Sequence, residues 1–193
     1  MTKIAAKISD YLCSKELIDQ SEKEIYTYGY EVILENAVKT FILLILGVVL
    51  KKAIVTIIFI IAFTTLRAYC GGYHAKKAWQ CDVCTLMLWG GVVWGTPIAR
   101  GAFTSGRAYL VAAVLLVELI IYLYAPIEHV NNRLTEEKRI RNQRGARSLG
   151  ILYGILVLVL STKTINYGVA LLMTLLEVAI LMIIPSEGRI SNE

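Results

Sequence analysis

Charge is scarce in this sequence. Only 18% of its 193 residues are Asp, Glu, Lys or Arg, and 56% are hydrophobic. A soluble domain is about 25% charged and about 45–50% apolar, so a largely solvated globular surface is excluded. Histidine is scarcer still: His74 and His129 are the whole supply, so imidazole chemistry has at most two sources. The first thirty residues hold Lys3, Lys7, Lys15 and Lys23 but no continuous apolar core. No cleavable signal peptide is therefore expected, and the first helix to insert should act as an uncleaved anchor. No internal repeat or linker-like stretch interrupts the chain, which points to a single domain over residues 1–193. The excess of 20 basic over 15 acidic residues carries no nucleic-acid signal, because charge beside long apolar runs must first be read as topology. No nucleic-acid partner is expected.

What is abundant is apolar sequence in long blocks. A spanning helix needs roughly 20 mostly apolar residues. Six segments qualify or nearly qualify: 32–50, 53–66, 83–98, 108–125, 149–160 and 165–184. The second and fifth are short, so either their ends extend into flanking polar residues or they pair as tight hairpins. Ahead of them, Ile4, Ile8, Tyr11, Leu12 and Ile18 recur at helical spacing between lysines. This predicts an amphipathic helix over residues 1–20, lying in the membrane interface. The fold class is therefore an all-α integral membrane protein with six transmembrane helices behind an interfacial helix. With both termini cytoplasmic, fourteen Lys and Arg residues fall on the inner side. Only Lys51, Lys52, Arg100, Arg107 and Lys163 fall on the outer side. The positive-inside rule favours that orientation. It puts the segment 67–82 and the basic loop 126–148 on the same, cytoplasmic, face. That loop reads as a topology determinant, with lipid headgroups or an anionic peptide as its other possible partners.

Reactive side chains concentrate in RAYCGGYHAKKAWQCDVC, Arg67 to Cys84, with three of the four cysteines and one of the two histidines. Three readings compete. Cys70, His74, Cys81 and Cys84 supply a ligand count that suits tetrahedral zinc. The CDVC pair suits redox chemistry, but a catalytic C-x-x-C usually sits in a βαβ setting that this sequence lacks. The third reading is a cysteine nucleophile with a histidine base. A nearby imidazole and a helix N-terminus both favour a thiolate, and Cys81 sits just before the third apolar run. On one straight helix His74 and Cys81 would stand about 10.5 Å apart along the axis, too far for the roughly 3 Å contact that proton transfer needs. The chain must bend between them, and Gly71-Gly72 supplies backbone freedom just upstream.

The pattern Arg67-x4-Gly72-Tyr73-His74-Ala75-x5-Cys81, set between apolar helices, resembles the accessory gene regulator B (AgrB) family. The layout of the whole chain is similar, and Ala125-Pro126-Ile127-Glu128 looks like that family's loop opening after the fourth helix. The resemblance implies a cysteine endopeptidase of the cytoplasmic membrane of Gram-positive bacteria, acting in quorum sensing. Such an enzyme trims the C-terminal part of a small AgrD-like precursor through an acyl-enzyme thioester. An internal Cys or Ser then resolves the thioester into a thiolactone or lactone ring. The resemblance makes Cys81 the nucleophile and His74 the base. It gives Arg67 and Gly72 a part in site architecture, implies no metal or cofactor, and favours a homodimer.

Other polar residues have plainer readings beside functional ones. Cys84 and Cys70 read as small helix side chains, Cys13 as inert, and His129 as a surface residue. Lys76 and Lys77 suit contact with an acidic precursor tail, or interfacial snorkelling. Asp82, or an intramembrane carboxylate, is a candidate to orient His74. Glu35, Asn36 and Lys39 give the first spanning segment a polar face, while Glu118 and Glu177 lie near mid-depth in the fourth and sixth. Such groups are costly in lipid unless paired or wetted, so Lys39 should pair with one of these carboxylates or share a wet cavity with them. Gly91-x3-Gly95 predicts close helix packing, within the chain or at a dimer seam. Two rival functions remain at this point: a transporter using the polar membrane residues, and a membrane protein with a structural zinc at Cys70, His74, Cys81 and Cys84.

Overall fold

The structure is a computed structural model that describes residues 2–71, 78–128 and 134–184. Seven α-helices follow one another: α1 (Thr2–Ser14), α2 (Lys23–Val49), α3 (Ala53–Cys70), α4 (Ala78–Ser105), α5 (Arg107–Tyr124), α6 (Glu136–Lys163) and α7 (Ile165–Ile183). Among the described residues there is no strand, only an isolated parallel bridge between Gly71 and Ile127. Six helices, α2 to α7, are long and apolar enough to cross a membrane. The chain divides into two compact units, residues 1–49 and 50–193.

In the first unit α1 packs on α2 through Ala5 and Ser9. Thr2 donates to Glu31 Oε1 at 2.7 Å, and Lys23 pairs with Asp10 at 2.5 Å. The helix expected over 1–20 stops at Ser14. The Leu17 N–H bonds back to the Leu12 carbonyl, and Glu16 takes a left-handed φ of 55°. That geometry closes a helix C-terminus. Glu35 and Lys39 sit half-buried on α2, four residues apart and so neighbours on one face.

The second unit is built around α7, which packs against α3, α4, α5 and α6. Its sequence explains this. INYGVALLMTLLEVAILMI is apolar on nearly every side, with Asn166, Thr174 and Glu177 as its polar exceptions, and such a helix is stable only when surrounded. Its neighbours admit it through small residues. A Cβ on Gly91 would meet Glu177 Oε1 at 2.9 Å, and one on Gly95 would meet the Met173 methyl at 2.5 Å. The Gly91-x3-Gly95 face of α4 is thus spent on α7 of the same chain. Because Gly91 faces Glu177 while Gly95 faces Met173, the two helices run antiparallel. Trp89 donates to Thr56 Oγ1 at 2.9 Å, tying α4 to α3 in the core.

The segments that looked short are extended by polar turns. α3 runs on past residue 66 to Cys70. α6 begins at Glu136, so the basic stretch 136–148, expected as loop, is helix. Its first turn carries Glu136 and Glu137, acids that suit a helix N-terminus. Helical hydrogen bonding satisfies the backbone in water or lipid alike, so a helix need not end where its apolar run ends. Lys138, Arg139, Arg141 and Arg144 therefore ride on a helix. Arg147 lies over the Tyr122 ring at 3.9 Å and donates to the Tyr122 carbonyl at 3.2 Å.

Candidate functional site

The C-terminal ends of α3, α5 and α7 and the N-terminal ends of α4 and α6 meet at one end of the second unit. Gly71, which follows α3, has φ 70°, and an added Cβ would meet the Ile127 carbonyl oxygen at 2.5 Å. The Ile127 N–H donates to the Cys70 carbonyl at 2.9 Å, and Arg67 Nη1 donates to the Gly71 carbonyl at 3.3 Å. The short stretch after α5 thus clamps the point where α3 gives way to the segment 72–77. Only glycine has both the backbone freedom and the absent side chain that this crossing needs. Glu128, next in that stretch, pairs at 4.0 Å with Arg139 of α6.

Cys81 lies in the first turn of α4, half-buried, because that helix begins at Ala78 rather than at residue 83. Its thiol therefore stands where the partial positive charge of a helix N-terminus is felt. Cys84 is one turn further along the same face. The half-buried Arg67 guanidinium reaches the thiols of Cys81, Cys84 and Cys70 electrostatically. It also lies 5.8 Å from the centre of the Phe63 ring. Asp82 is half-buried, with its Oδ1 shielded from solvent. Cys81 and Cys84 thus stand near the start of α4 and Cys70 at the end of α3, all within electrostatic range of one cation.

Two carboxyls approach the cluster from inside the bundle. Glu118 interacts electrostatically with Cys70, and Glu177 with Cys84. Each sits six residues before the end of its helix, about 9 Å at about 1.5 Å per residue, so both lie near mid-helix, on the cysteine side of it. α6 makes room for Glu118 with glycine. A Cβ on Gly150 would come within 2.6 Å of Glu118 Oε2, and one on Gly154 within 3.2 Å of Oε1. Glu118 Oε1 and Glu177 Oε2 are buried without a hydrogen-bond partner among the described residues.

Of the residues singled out in the sequence, Cys81, Asp82 and Arg67 come together here. His74, Gly72, Lys76, Lys77 and His129 lie outside the described residues. Glu35 and Lys39 belong to the first unit. Cys70 and Cys84, read as bystanders, stand within reach of Arg67. The C-x-x-C spacing signalled Cys84, whereas Cys70 was signalled only as a candidate zinc ligand. Among the described residues no group of three His, Cys, Asp or Glu side chains could hold a metal ion.

The family model for accessory gene regulator B matches residues 3–184. The chain belongs to the AgrB family. AgrB-like protein 2 of Clostridium perfringens (strain 13) is 28% identical over 156 residues, 78% of this chain and 72% of that protein. An AgrB-like protein of Clostridium perfringens (strain SM101) is 24% identical over 152 residues, 76% of this chain and 70% of its own. One from Halalkalibacterium halodurans is 26% identical over 149 residues, 77% and 72% of the two chains. No solved structure matches. Membership of the AgrB family, with six apolar helices, makes this a multi-pass membrane protein of autoinducer peptide processing in quorum sensing.

Proposed function

We propose that this protein is a membrane-embedded cysteine endopeptidase that removes the C-terminal part of a quorum-sensing precursor and cyclises what remains. His74 takes the proton of Cys81, and the sulfur attacks the scissile carbonyl. Collapse of the tetrahedral intermediate breaks the peptide bond, and His74 returns the proton to the leaving amine. The retained peptide is left as a thioester on Cys81. An internal Cys or Ser of the peptide attacks that thioester, closes the thiolactone or lactone ring and frees Cys81. A thioester keeps the acyl-transfer energy that hydrolysis would lose, and a site shielded from water protects it.

The observation that carries this reading is the position of Cys81, on the first turn of α4 and within electrostatic range of Arg67. Arg67 stabilises the sulfur as it attacks and as it leaves, and it braces the Gly71 carbonyl. Gly72 lets the chain bend so that His74 can reach Cys81. Asp82 orients His74, and Lys76 and Lys77 meet an acidic precursor tail. Glu35 and Lys39 help line the path of the peptide, and no metal or cofactor takes part. In this reading α1 is an interfacial amphipathic helix, both termini and the active site are cytoplasmic, and the chain is one peptidase domain working as a homodimer in the bacterial cytoplasmic membrane. The precursor is made in the cytosol, which suits a site on that face.

The test is to replace each cysteine by serine and His74 by alanine, and to follow cleavage of the cognate precursor by mass. Loss confined to Cys81→Ser and His74→Ala, by at least about 10³-fold with normal expression, supports the peptidase. Equal losses at Cys70, His74, Cys81 and Cys84 point to structural zinc. Transport that survives Cys81→Ser, without proteolysis at any stage, points to a carrier.

A further inference from the structure

A second concave site lies at the opposite end of the α3–α7 bundle. α3 is 18 residues long, so its first residue stands about 26 Å along the axis from Cys70. There a cavity of about 500 Å³ opens between the start of α3, the later part of α4 and the start of α7. Val55, Val93 and Thr96 form its floor and are buried. Lys51, Lys52 and Arg100 stand exposed at its rim beside the half-buried Asn166. No carboxylate is among the lining residues.

This cationic rim is not what topology alone would produce. The outer-side segments carry few basic residues: Lys51, Lys52, Arg100, Arg107 and Lys163. Snorkelling would spread them around the bundle wherever a stem meets lipid. Instead three of the five line one cavity, from two different elements and with no acid to balance them. Three cations around a cavity with no carboxylate in its lining give it a positive potential that favours an anion. Arg100 spends one of its five donors on Asn166 Oδ1, at 3.4 Å, and that long bond yields readily to an anion. The starts of α3 and α7 also face the cavity, and neither has a side-chain cap. Their first-turn N–H groups add to the field of the three side chains.

We propose that this cavity binds a single phosphate group, carried on the headgroup of an anionic phospholipid or present as free phosphate. Lys51 and Lys52 supply point charges and Arg100 a planar fork for phosphate oxygens. The apolar floor accepts the glycerol end of a lipid. The site is separate from the cysteine cluster, and its occupancy does not depend on the peptidase reading.

The test uses the full chain in a neutral detergent, with phosphatidylglycerol, phosphatidylcholine or inorganic phosphate added separately. Native mass spectrometry reads retained lipid, and thermal unfolding reads stabilisation. The wild type should retain one phosphatidylglycerol in preference to phosphatidylcholine and melt several degrees higher with it. Lys51→Gln/Lys52→Gln/Arg100→Gln should weaken binding at least tenfold, and Arg100→Gln alone by a few-fold, which covers failure of the triple variant to fold. Arg107→Gln, outside the cavity, should bind as the wild type does. Stabilisation by inorganic phosphate equal to that by phosphatidylglycerol assigns the site to the free ion. Stabilisation by the lipid alone assigns it to the headgroup. Equal retention of the two lipids with no response to phosphate overturns the proposal, as does wild-type binding by the Arg100→Gln chain.

Discussion

The two ends of the α3–α7 bundle use similar components for different ends. At one, the half-buried Arg67 lies within electrostatic range of Cys70, Cys81 and Cys84, where α3 ends and α4 begins. At the other, Lys51, Lys52 and Arg100 ring an open cavity where α3 and α7 begin. The difference is what each cation faces. A half-buried guanidinium within electrostatic range of thiols has groups of the protein itself to act on. Cations on a rim with nothing opposite are suited to holding something that arrives from outside. The presence of cations does not separate the two ends, but the cysteines at one, burial and neighbours do.

The largest expected effect breaks the symmetry outright. Cys81→Ala should lower precursor cleavage by at least about 10³-fold. Lys51→Gln/Lys52→Gln/Arg100→Gln should leave cleavage within about twofold, measured in the same detergent. Comparable losses at both ends would mean that the bundle is one functional unit. Next comes Arg67→Gln, which should cut turnover by about 10²-fold, with the peptide KM little changed, if the charge acts on the sulfur. Arg67→Lys should recover part of the rate, because it restores the charge but not the fork. A KM effect alone would make Arg67 a substrate contact.

Smaller effects probe the clamps that shape the cysteine end. Gly71→Ala should cost about 2–3 kcal/mol of stability, since it combines a left-handed φ with a collision at the Ile127 carbonyl. Thermal unfolding measures it, and a neutral result would mean that the crossing with Ile127 is loose. Gly150→Ala should cost about 1–2 kcal/mol through the Glu118 carboxyl. Glu118→Ala in the same chain should recover most of that loss, and additive losses would dissociate the pair. The smallest effect is that of a metal chelator, which should leave cleavage unchanged.

Much of the helix content was legible because lipid imposes a coarse rule. Apolar runs near 20 residues form helices, and the six segments appear as α2 to α7. The ends were not legible. α6 starts at Glu136 and α4 at Ala78, because hydrogen bonding continues a helix past its apolar run. The end of α1 depended on one left-handed residue, Glu16, which composition does not mark. At the candidate site, Cys81 and Arg67 stood out by their clustering in Arg67–Cys84. Cys70 lies in the same stretch, but its full burial depends on how α3 ends. The Gly91-x3-Gly95 pattern announced close packing but not its partner, which is α7 of the same chain.

By itself, the sequence determined a six-span membrane protein with a reactive segment between its second and third spans. Hydropathy and residue chemistry are local properties and need no neighbours to be read. Only the tertiary structure decided that Ile127, 56 positions after Gly71, pins the start of that segment. The same holds for the Arg67–cysteine cluster and for the meeting of Lys51, Lys52 and Arg100 around one cavity. Those juxtapositions arise from helices that pack around α7, α3 and α5 parallel to it and α4 and α6 antiparallel, a choice made by steric fit between side chains far apart in the chain.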